Sequence, residues 1–359
     1  MKSFSNLVSR FFLSAVLLSG LFTSCHPVDE YVAVSGFAQG GTYSVTVNLN
    51  TGNGRIRTTP QQLKANIDSI LLQIDNSLSG YNKKSQLSDF NAGKPIHPSP
   101  LFLDIYRKSH EIYTRTEGVV DVAAGPLYDA WGFGFWKGEL PDAETVDSLK
   151  AHSGMKLLHA DMESRLLESG VLFPEAMLKD PSSLNHPRLN FNAVAQGYSC
   201  DIVAEYLHRL GAKDMMVDIG EIYCEGHNPK GVNWTIAIDT PEDNNNEPGR
   251  DICGVFHAPD QPCGIVTSGN YRKFYIRDGK KYAHTVDPRT GYPVNHNLLS
   301  ATIIAKDAFT ADAYATYCMV VGFEEAAAFI TENPGLEGCL VYEEEGQMRT
   351  WISEGFNMH

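Results

Sequence analysis

Asp312 and Thr316 stand four residues apart in a stretch, Asp307 to Gly322, that reads as a helix whose alanines leave little bulk on one side. At that spacing the carboxylate and the hydroxyl share one helical face. Both are hard oxygen donors, the kind Mg²⁺ binds while it keeps waters or substrate phosphates in its other positions. The same pair is also compatible with a solvated helix-start charge and an ordinary surface threonine. Upstream, His284 precedes Asp287-Pro288-Arg289-Thr290, which has the residues of a type I turn, with Gly291 free to leave by an unusual dihedral. That turn is expected to hold His284 and Asp287 at a strand end, facing one cleft. Between turn and helix, Leu299 to Ala305 is an apolar, β-branched run suited to a buried strand.

The elements that must position these groups follow from periodicity. Thr42 to Leu49 alternates as a half-buried strand, and Gln61 to Ser79 is an amphipathic helix with Gly80 suited to its C-cap. Ser85 to Asn91 reads as a short turn, and Pro100 to Thr116 as a second helix stopped at Gly118. Val119 to Gly134 runs from small residues to an aromatic patch, able to line a slot for a flat ring or to pack in a core. Pro141 to Ser182 reads as a helix and hairpin region without chemistry. Leu189 to Gly211 is expected to be a strand, a small-residue turn and a helix whose N-terminus can take an anion. Met215 to Cys224 and Trp234 to Asp239 read as strands, and Pro241 to Gly249 as a surface loop. Ile265 to Ser268 and Tyr271 to Ile276 flank Gly269-Asn270 as a hairpin with a primed turn. Helix Phe323 to Asn333 and two strands close the chain. Strands and helices mix without regular βαβ alternation, so the expected class is α+β, with a large, mostly antiparallel or mixed sheet and flanking helices.

The chain has 359 residues with Lys+Arg 29 against Asp+Glu 43, a net charge of −14. That balance argues against nucleic acid as a partner, and an anionic ligand would need local help from a metal or from backbone N–H groups. Met1 to Cys25 reads as a targeting segment: Lys2 and Arg10, then an apolar run from Phe11 to Phe22, then Thr23-Ser24-Cys25. Small residues ending on a cysteine resemble a bacterial lipoprotein cleavage site, with Cys25 as the lipidated first residue and 26–35 as a tether. An ordinary secretory signal is the other reading. Six further cysteines show no zinc spacing; Cys253 and Cys263 can pair under oxidising conditions, and most read as small buried hydrophobes. There is no P-loop, zincin or nucleophile-elbow motif, and Gly132-Phe133-Gly134 lacks the third glycine of a Rossmann turn.

Taken together, the chain from about Gly36 to the end resembles the ApbE family, the FAD:protein FMN transferases. The resemblance rests on Gly40-Gly41-Thr42, Leu78-Ser79-Gly80-Tyr81 with Ser85 and Asn91, and Asp121 through Gly134. It continues through Phe191 to Tyr198 with Asp201, Val217-Asp218-Ile219-Gly220, Thr267 to Tyr271, His284 through Gly291, and Ala311-Asp312-Ala313 with Thr316. It implies one catalytic domain over 36–359, with a flavin cleft between two interleaved lobes. It also implies FAD as substrate, cleaved at its pyrophosphate, with FMN moved to a Thr or Ser hydroxyl of an acceptor protein and AMP released. By the same resemblance Mg²⁺ is held by the Ala193 carbonyl, Asp312 and Thr316. Flavin contacts fall on Gly40, Tyr81, Asp121, Val122, Ala123, Asn190, Gln196 and Val286. Gln196, Asn190 and Gly40 stand where many members carry Lys, Asp and Met.

Phosphoryl transfer is catalysed mainly by positioning and charge neutralisation. His284 and Asp312 are the expected catalytic residues, His284 either orienting a phosphate or taking the hydroxyl proton. The implied acceptor is an extracytoplasmic or membrane subunit of a redox complex, reached from the periplasmic side of the inner membrane by a chain anchored through lipid on Cys25. Two other readings use the same site: an FAD pyrophosphatase yielding FMN and AMP, and a non-catalytic flavin-binding lipoprotein.

Overall fold

The computed structural model describes residues 30–51, 54–134, 140–159, 162, 170–172, 187–241, 251–270, 274–277 and 280–358. The targeting segment lies outside these residues, as do the loop at Pro241 to Gly249 beyond Pro241 itself and much of the region read as a hairpin before Ser182. The chain opens with strands β1 (Tyr31–Ala38) and β2 (Gly41–Asn48), then helices α1 (Pro60–Leu78), α2 (Gln86–Asn91), α3 (Pro100–Arg115), α4 (Gly125–Ala130), α5 (Ala143–His152) and α6 (Ala195–Leu210). Strands β3 (Met215–Asp218), β4 (Ile222–Glu225), β5 (Thr235–Asp239), β6 (Ile252–His257), β7 (Cys263–Gly269), β8 (Phe274–Arg277) and β9 (Lys280–Ala283) follow. After β10 (Val286–Asp287), β11 (Tyr292–Pro293) and β12 (Leu298–Ala305) come helices α7 (Ala308–Val321) and α8 (Phe323–Glu332), then β13 (Glu337–Glu344) and β14 (Gln347–Ile352).

An eight-stranded sheet in the order β1-β2-β3-β4-β7-β12-β13-β14 carries the fold, with every neighbouring pair antiparallel. The expected α+β class is therefore the observed one. Successive side chains of a strand face opposite ways, which gives the sheet two cores. On the helical side Ala301 and Ile303 of β12 join Val266 of β7; on the other side Ile304, Ile265 and Cys263 meet Trp234, Ile236, Ile238 and Phe256 from the small β5–β6 ribbon. A third, separate cluster joins α4 and α5 through Leu127, Trp131, Val146 and Leu149, and Val286 of β10 belongs to it.

Several sequence expectations change once pairing partners are known. Residues 31–35, read as part of a tether, form the first half of β1. Ser79 rather than Gly80 is the C-cap of α1, with its N–H on the Asp75 carbonyl. The turn at Ser85 to Asn91 is a short helix because the Ser85 hydroxyl accepts the Ser88 N–H at 2.9 Å. No strand forms at Leu189, whose backbone groups are taken by the Asn91 side chain at 2.8 Å each, a side-chain imitation of a strand partner. Where a hairpin across Gly269-Asn270 was expected, the described part of its second strand, β8, pairs with β9, while β7 pairs with β12 and, at Cys263 to Ile265, with β4; residues 271–273 lie outside the described residues. All six described cysteines are free; Cys253 lies apart from Cys263, which instead faces Cys224 at 3.7 Å across neighbouring strands. Among the described residues no helix is long and apolar enough to cross a membrane.

Helix α7 is buried on nearly every side, as a helix without a polar face must be. Its start is capped by Asp307, which accepts the Thr310 N–H at 2.7 Å. Beyond its second half, His296 Nε2 lies 2.9 Å from the Met319 carbonyl, and Nδ1 lies 3.3 Å from the Leu298 N–H. A carbonyl only accepts and a backbone N–H only donates, so this ring is neutral with its proton on Nε2. Burial holds its pKa below the ordinary 6.5. The unfolded chain then binds a proton at a pH where the folded chain does not, so this contribution to stability is present above pH 6.5 and is lost as pH falls below it. Denaturant titrations of wild type and His296→Gln between pH 7.5 and 5.5 are expected to show the wild type losing stability faster on acidification; parallel curves would contradict the neutral assignment.

Candidate functional site

The helical core and the α4–α5 cluster meet at a cavity of about 550 Å³. Its wall gathers residues from the α3–α4 connection, the loop before α6, the end of β7, β10 and α7. Ten residues expected from the sequence line it: Tyr81, Asp121, Val122, Asn190, Ala193, Gln196, His284, Val286, Asp312 and Thr316. Gly40 and Ala123 do not. Gly40 sits in the exposed β1–β2 turn, whose Gln39 side chain donates to Ser199 on α6, and Ala123 is buried behind Asp121. Asp287 does not face the cleft either: its carboxylate accepts the Arg289 N–H at 2.8 Å and the guanidinium at 3.0 Å, so it shapes the turn instead. Gly291 leaves that turn at φ +85°, and its carbonyl accepts the Trp131 indole N–H at 2.8 Å. This bond ties the segment carrying His284 and Val286 to α4.

The start of α6 is the structural centre of the site. The Gly197 N–H donates to Asp312 Oδ2 at 3.0 Å, and the first helical bond recorded at this end runs from the Tyr198 N–H to the Val194 carbonyl. An N–H at this position has no partner within its own helix. The Ala193 carbonyl, one residue before the N-cap Val194, carries no hydrogen bond among the described residues. The contact is possible because Gly197 lacks a Cβ, which would lie 2.2 Å from the Ala308 carbonyl and 2.9 Å from Asp312 Cβ. Gly264 on β7 allows the same approach from the sheet, where a Cβ would meet Ala308 at 2.3 Å. Helix α7 is thereby pressed between α6 and β7.

Two buried carboxyls on the cavity, Asp121 and Asp312, and a third behind it, Asp201, are each pushed upward chiefly by loss of solvent. Asp121 reaches about 6 despite the N–H groups of Ala123 and Met155 that it accepts at 2.8 and 3.0 Å. Asp201 reaches about 7 through burial and the neighbouring Asp307, opposed by the N–H groups of Phe309 and Ala308. Asp312 reaches about 8 through burial, with the Gly197 N–H opposing and Asp201 adding to the rise. Asn190 spends its side-chain oxygen on the Asn192 N–H at 2.9 Å, and its own N–H meets the Val122 carbonyl at 2.7 Å, so it fixes the loop that presents Ala193. Gln196 donates to the Ile219 carbonyl at 3.0 Å, closing one end of the wall. His284 approaches Phe133 edge-on at 6.4 Å between ring centroids, and Tyr81 stands 68% exposed at the rim.

The donor set suits a small hard cation: a carboxylate with one oxygen not hydrogen-bonded among the described residues, a hydroxyl and an unpaired main-chain carbonyl, all on one cavity. It does not suit zinc; among the described residues no group of three or more His, Cys, Asp or Glu could hold a metal. Sequence reasoning missed Met319 and Val320, which also line the cavity. They follow Asp312 by seven and eight residues, a helical spacing that carried the signal. Glu221, Thr267 and Ser268 line it too, brought there by sheet pairing that has no local signature.

Comparison with known proteins places this geometry in context. The ApbE family model matches residues 40–340. An FAD:protein FMN transferase of Vibrio cholerae serotype O1 is 31% identical over 349 residues, covering 96% of each chain. One of Escherichia coli K12 is 34% identical over 303 residues, covering 82% of this chain and 81% of its own. The apo crystal structure of the Pseudomonas stutzeri flavinyl transferase ApbE superposes with a TM-score of 0.74 at 29% identity, over 91% of this chain and 95% of that one.

Replacing Gly197 by alanine tests the close approach directly. The added methyl has nowhere to go, and overpacking of this kind costs about 1–3 kcal/mol. Chemical denaturation of Gly197→Ala is expected to show a loss of that order; wild-type stability would mean that α6 and α7 are not held this tightly.

Proposed function

The chain belongs to the ApbE family, and from that premise we propose that it transfers the FMN half of FAD to a hydroxyl of an acceptor protein at the Asp312 cavity, with Mg²⁺ held by Asp312, Thr316 and the Ala193 carbonyl. The observation that carries the reading is that the Ala193 carbonyl and the second Asp312 oxygen carry no hydrogen bond among the described residues and face a cavity of about 550 Å³, while the Gly197 N–H holds the first Asp312 oxygen. When bound there, Mg²⁺ supplies positive charge against the non-bridging phosphate oxygens.

The rest of the chemistry falls to the chain. Val122, Tyr128, Phe133 and Val286 form an apolar wall suited to the flavin ring, and Tyr81 stands at its open edge. Asp121, held by backbone N–H groups, offers its carboxyl to the polar rim of the ring. The acceptor hydroxyl attacks the phosphorus on the FMN side, the bond to the AMP phosphate breaks, and AMP leaves. His284, the one imidazole on the cavity wall among the described residues, is placed to orient a phosphate or receive the hydroxyl proton. The net charge of −14 makes such local neutralisation necessary, since the field of the whole molecule repels an anionic dinucleotide.

The reading includes export and anchoring. Residues 1–25 serve as a lipoprotein signal, Cys25 carries the lipid, and the domain works outside the cytoplasm, at the periplasmic side of the inner membrane, on a subunit of a redox complex. The support is the pattern of Lys2, Arg10, the apolar run and Thr23-Ser24-Cys25.

Two experiments test this. Incubated with FAD, Mg²⁺ and membranes of its own cell, the wild type is expected to yield a fluorescent flavin band on a denaturing gel. Asp312→Ala is expected to reduce the band at least about 100-fold while its circular dichroism stays native; a variant with full activity refutes the assignment, and free FMN appearing rapidly without acceptor would make the enzyme a pyrophosphatase. Separately, radiolabelled palmitate is expected to enter the wild type expressed in a bacterium and not Cys25→Ala; equal labelling of both refutes the anchor.

A further inference from the structure

Helices α6 and α7 are joined by a ladder of contacts with a regular step. On α6, Gly197 and Asp201 are four residues apart on one face; on α7, Ala308 and Asp312 are likewise four apart. The Gly197 N–H meets Asp312 at 3.0 Å. At the other rung, Asp201 accepts the Ala308 N–H on one oxygen and the Phe309 N–H on the other, each at 2.9 Å. Ala193 before the start of α6 and Thr316 one turn beyond Asp312, the two remaining oxygen donors of the proposed metal site, both line the cavity. Asp201 is itself only 8% exposed, does not line the cavity, and has no part in the chemistry described so far.

A carboxylate at a helix N-terminus is ordinarily a local cap, and α7 already has one in Asp307. A second, supplied by another helix and using both oxygens, does what a local cap cannot: it sets where α7 sits along α6. Sliding or tilting α7 by a fraction of a turn would move Asp312 and Thr316 relative to the Ala193 carbonyl, and octahedral Mg²⁺ tolerates such changes poorly compared with Ca²⁺.

We propose that Asp201 is a positioning residue for the metal site, fixing through the Ala308 and Phe309 N–H groups the distance between the Ala193 carbonyl and the Asp312–Thr316 pair, and thereby the preference for Mg²⁺ over Ca²⁺. This rests on the metal reading given above. In Asp201→Asn only one of the two N–H groups keeps an acceptor, because the amide NH₂ faces the other.

The test is calorimetric titration of MgCl₂ and of CaCl₂ into wild type, Asp201→Asn and Asp312→Ala, with circular dichroism as the check on folding. Folded Asp201→Asn is expected to bind Mg²⁺ about 10-fold or more weakly, the usual effect of losing a residue that orients a ligand, with a smaller loss for Ca²⁺. A purely structural cap would lower the melting temperature and leave both affinities of the folded protein unchanged, which would overturn the proposal. If Asp312→Ala binds Mg²⁺ as the wild type does, the metal reading falls and this one with it; if Asp312→Ala loses binding and Asp201→Asn keeps it, only this one falls. Should Asp201→Asn not fold, hydrogen exchange on the wild type decides, because coupling between site and cap is reciprocal. Saturating MgCl₂ is expected to slow exchange at the Ala308 and Phe309 amides, and unchanged exchange there overturns the proposal.

Discussion

One hydrogen bond, from the Gly197 N–H to Asp312, joins two helices that lie far apart in the chain and defines the site between them. It satisfies an orphan donor at the start of α6 and holds a buried carboxylate in place. It also demands that residue 197 be glycine and that α7 be apolar enough to be enclosed. The eight-stranded sheet serves this contact: β7 and β12 form the floor on which α7 rests, and Gly264 lets that floor come close.

Electrostatics explains why so much backbone is committed here. A chain carrying −14 and burying Asp121, Asp201 and Asp312 is poorly disposed toward an anion. Burial raises all three carboxyls, and each is restrained chiefly by backbone N–H groups, with Lys108 adding a smaller pull on Asp201. A cation bound at Asp312 would offset the local charge and present the opposite sign to a diphosphate. The apolar part of the cavity needs no such device: Val286 is fixed by packing against α4 and α5, and the Trp131 bond to Gly291 anchors the turn behind it.

Where the sequence reading went astray, long-range partners had overruled local preference. Leu189 has the look of a strand residue, yet the Asn91 side chain occupies its N–H and carbonyl, so no ladder can form. Gly269-Asn270 has the look of a hairpin turn, but β7 takes β12 as its long partner and β8 takes β9. Asp287 was expected in the cleft and instead folds back onto Arg289 within its own turn. Cys263 pairs in space with Cys224, a partner determined by strand order and not by spacing along the chain.

By itself the sequence determined the α+β class, the extent of most helices and, through motif resemblance, the family and ten of the residues on the cavity wall. These are local properties, since helical period, turn residues and the i, i+4 spacing of Asp312 and Thr316 are written in contiguous stretches. Only the tertiary structure decided that Gly40, Ala123 and Asp287 stay off that wall, that Glu221 and Thr267 join it, and that Asp201 grips the start of α7. Those outcomes depend on which strand lies beside which and how two helices register across more than a hundred residues of intervening chain. Neither composition nor periodicity carries that information, because a hydrogen bond between distant segments leaves no repeating pattern in either one.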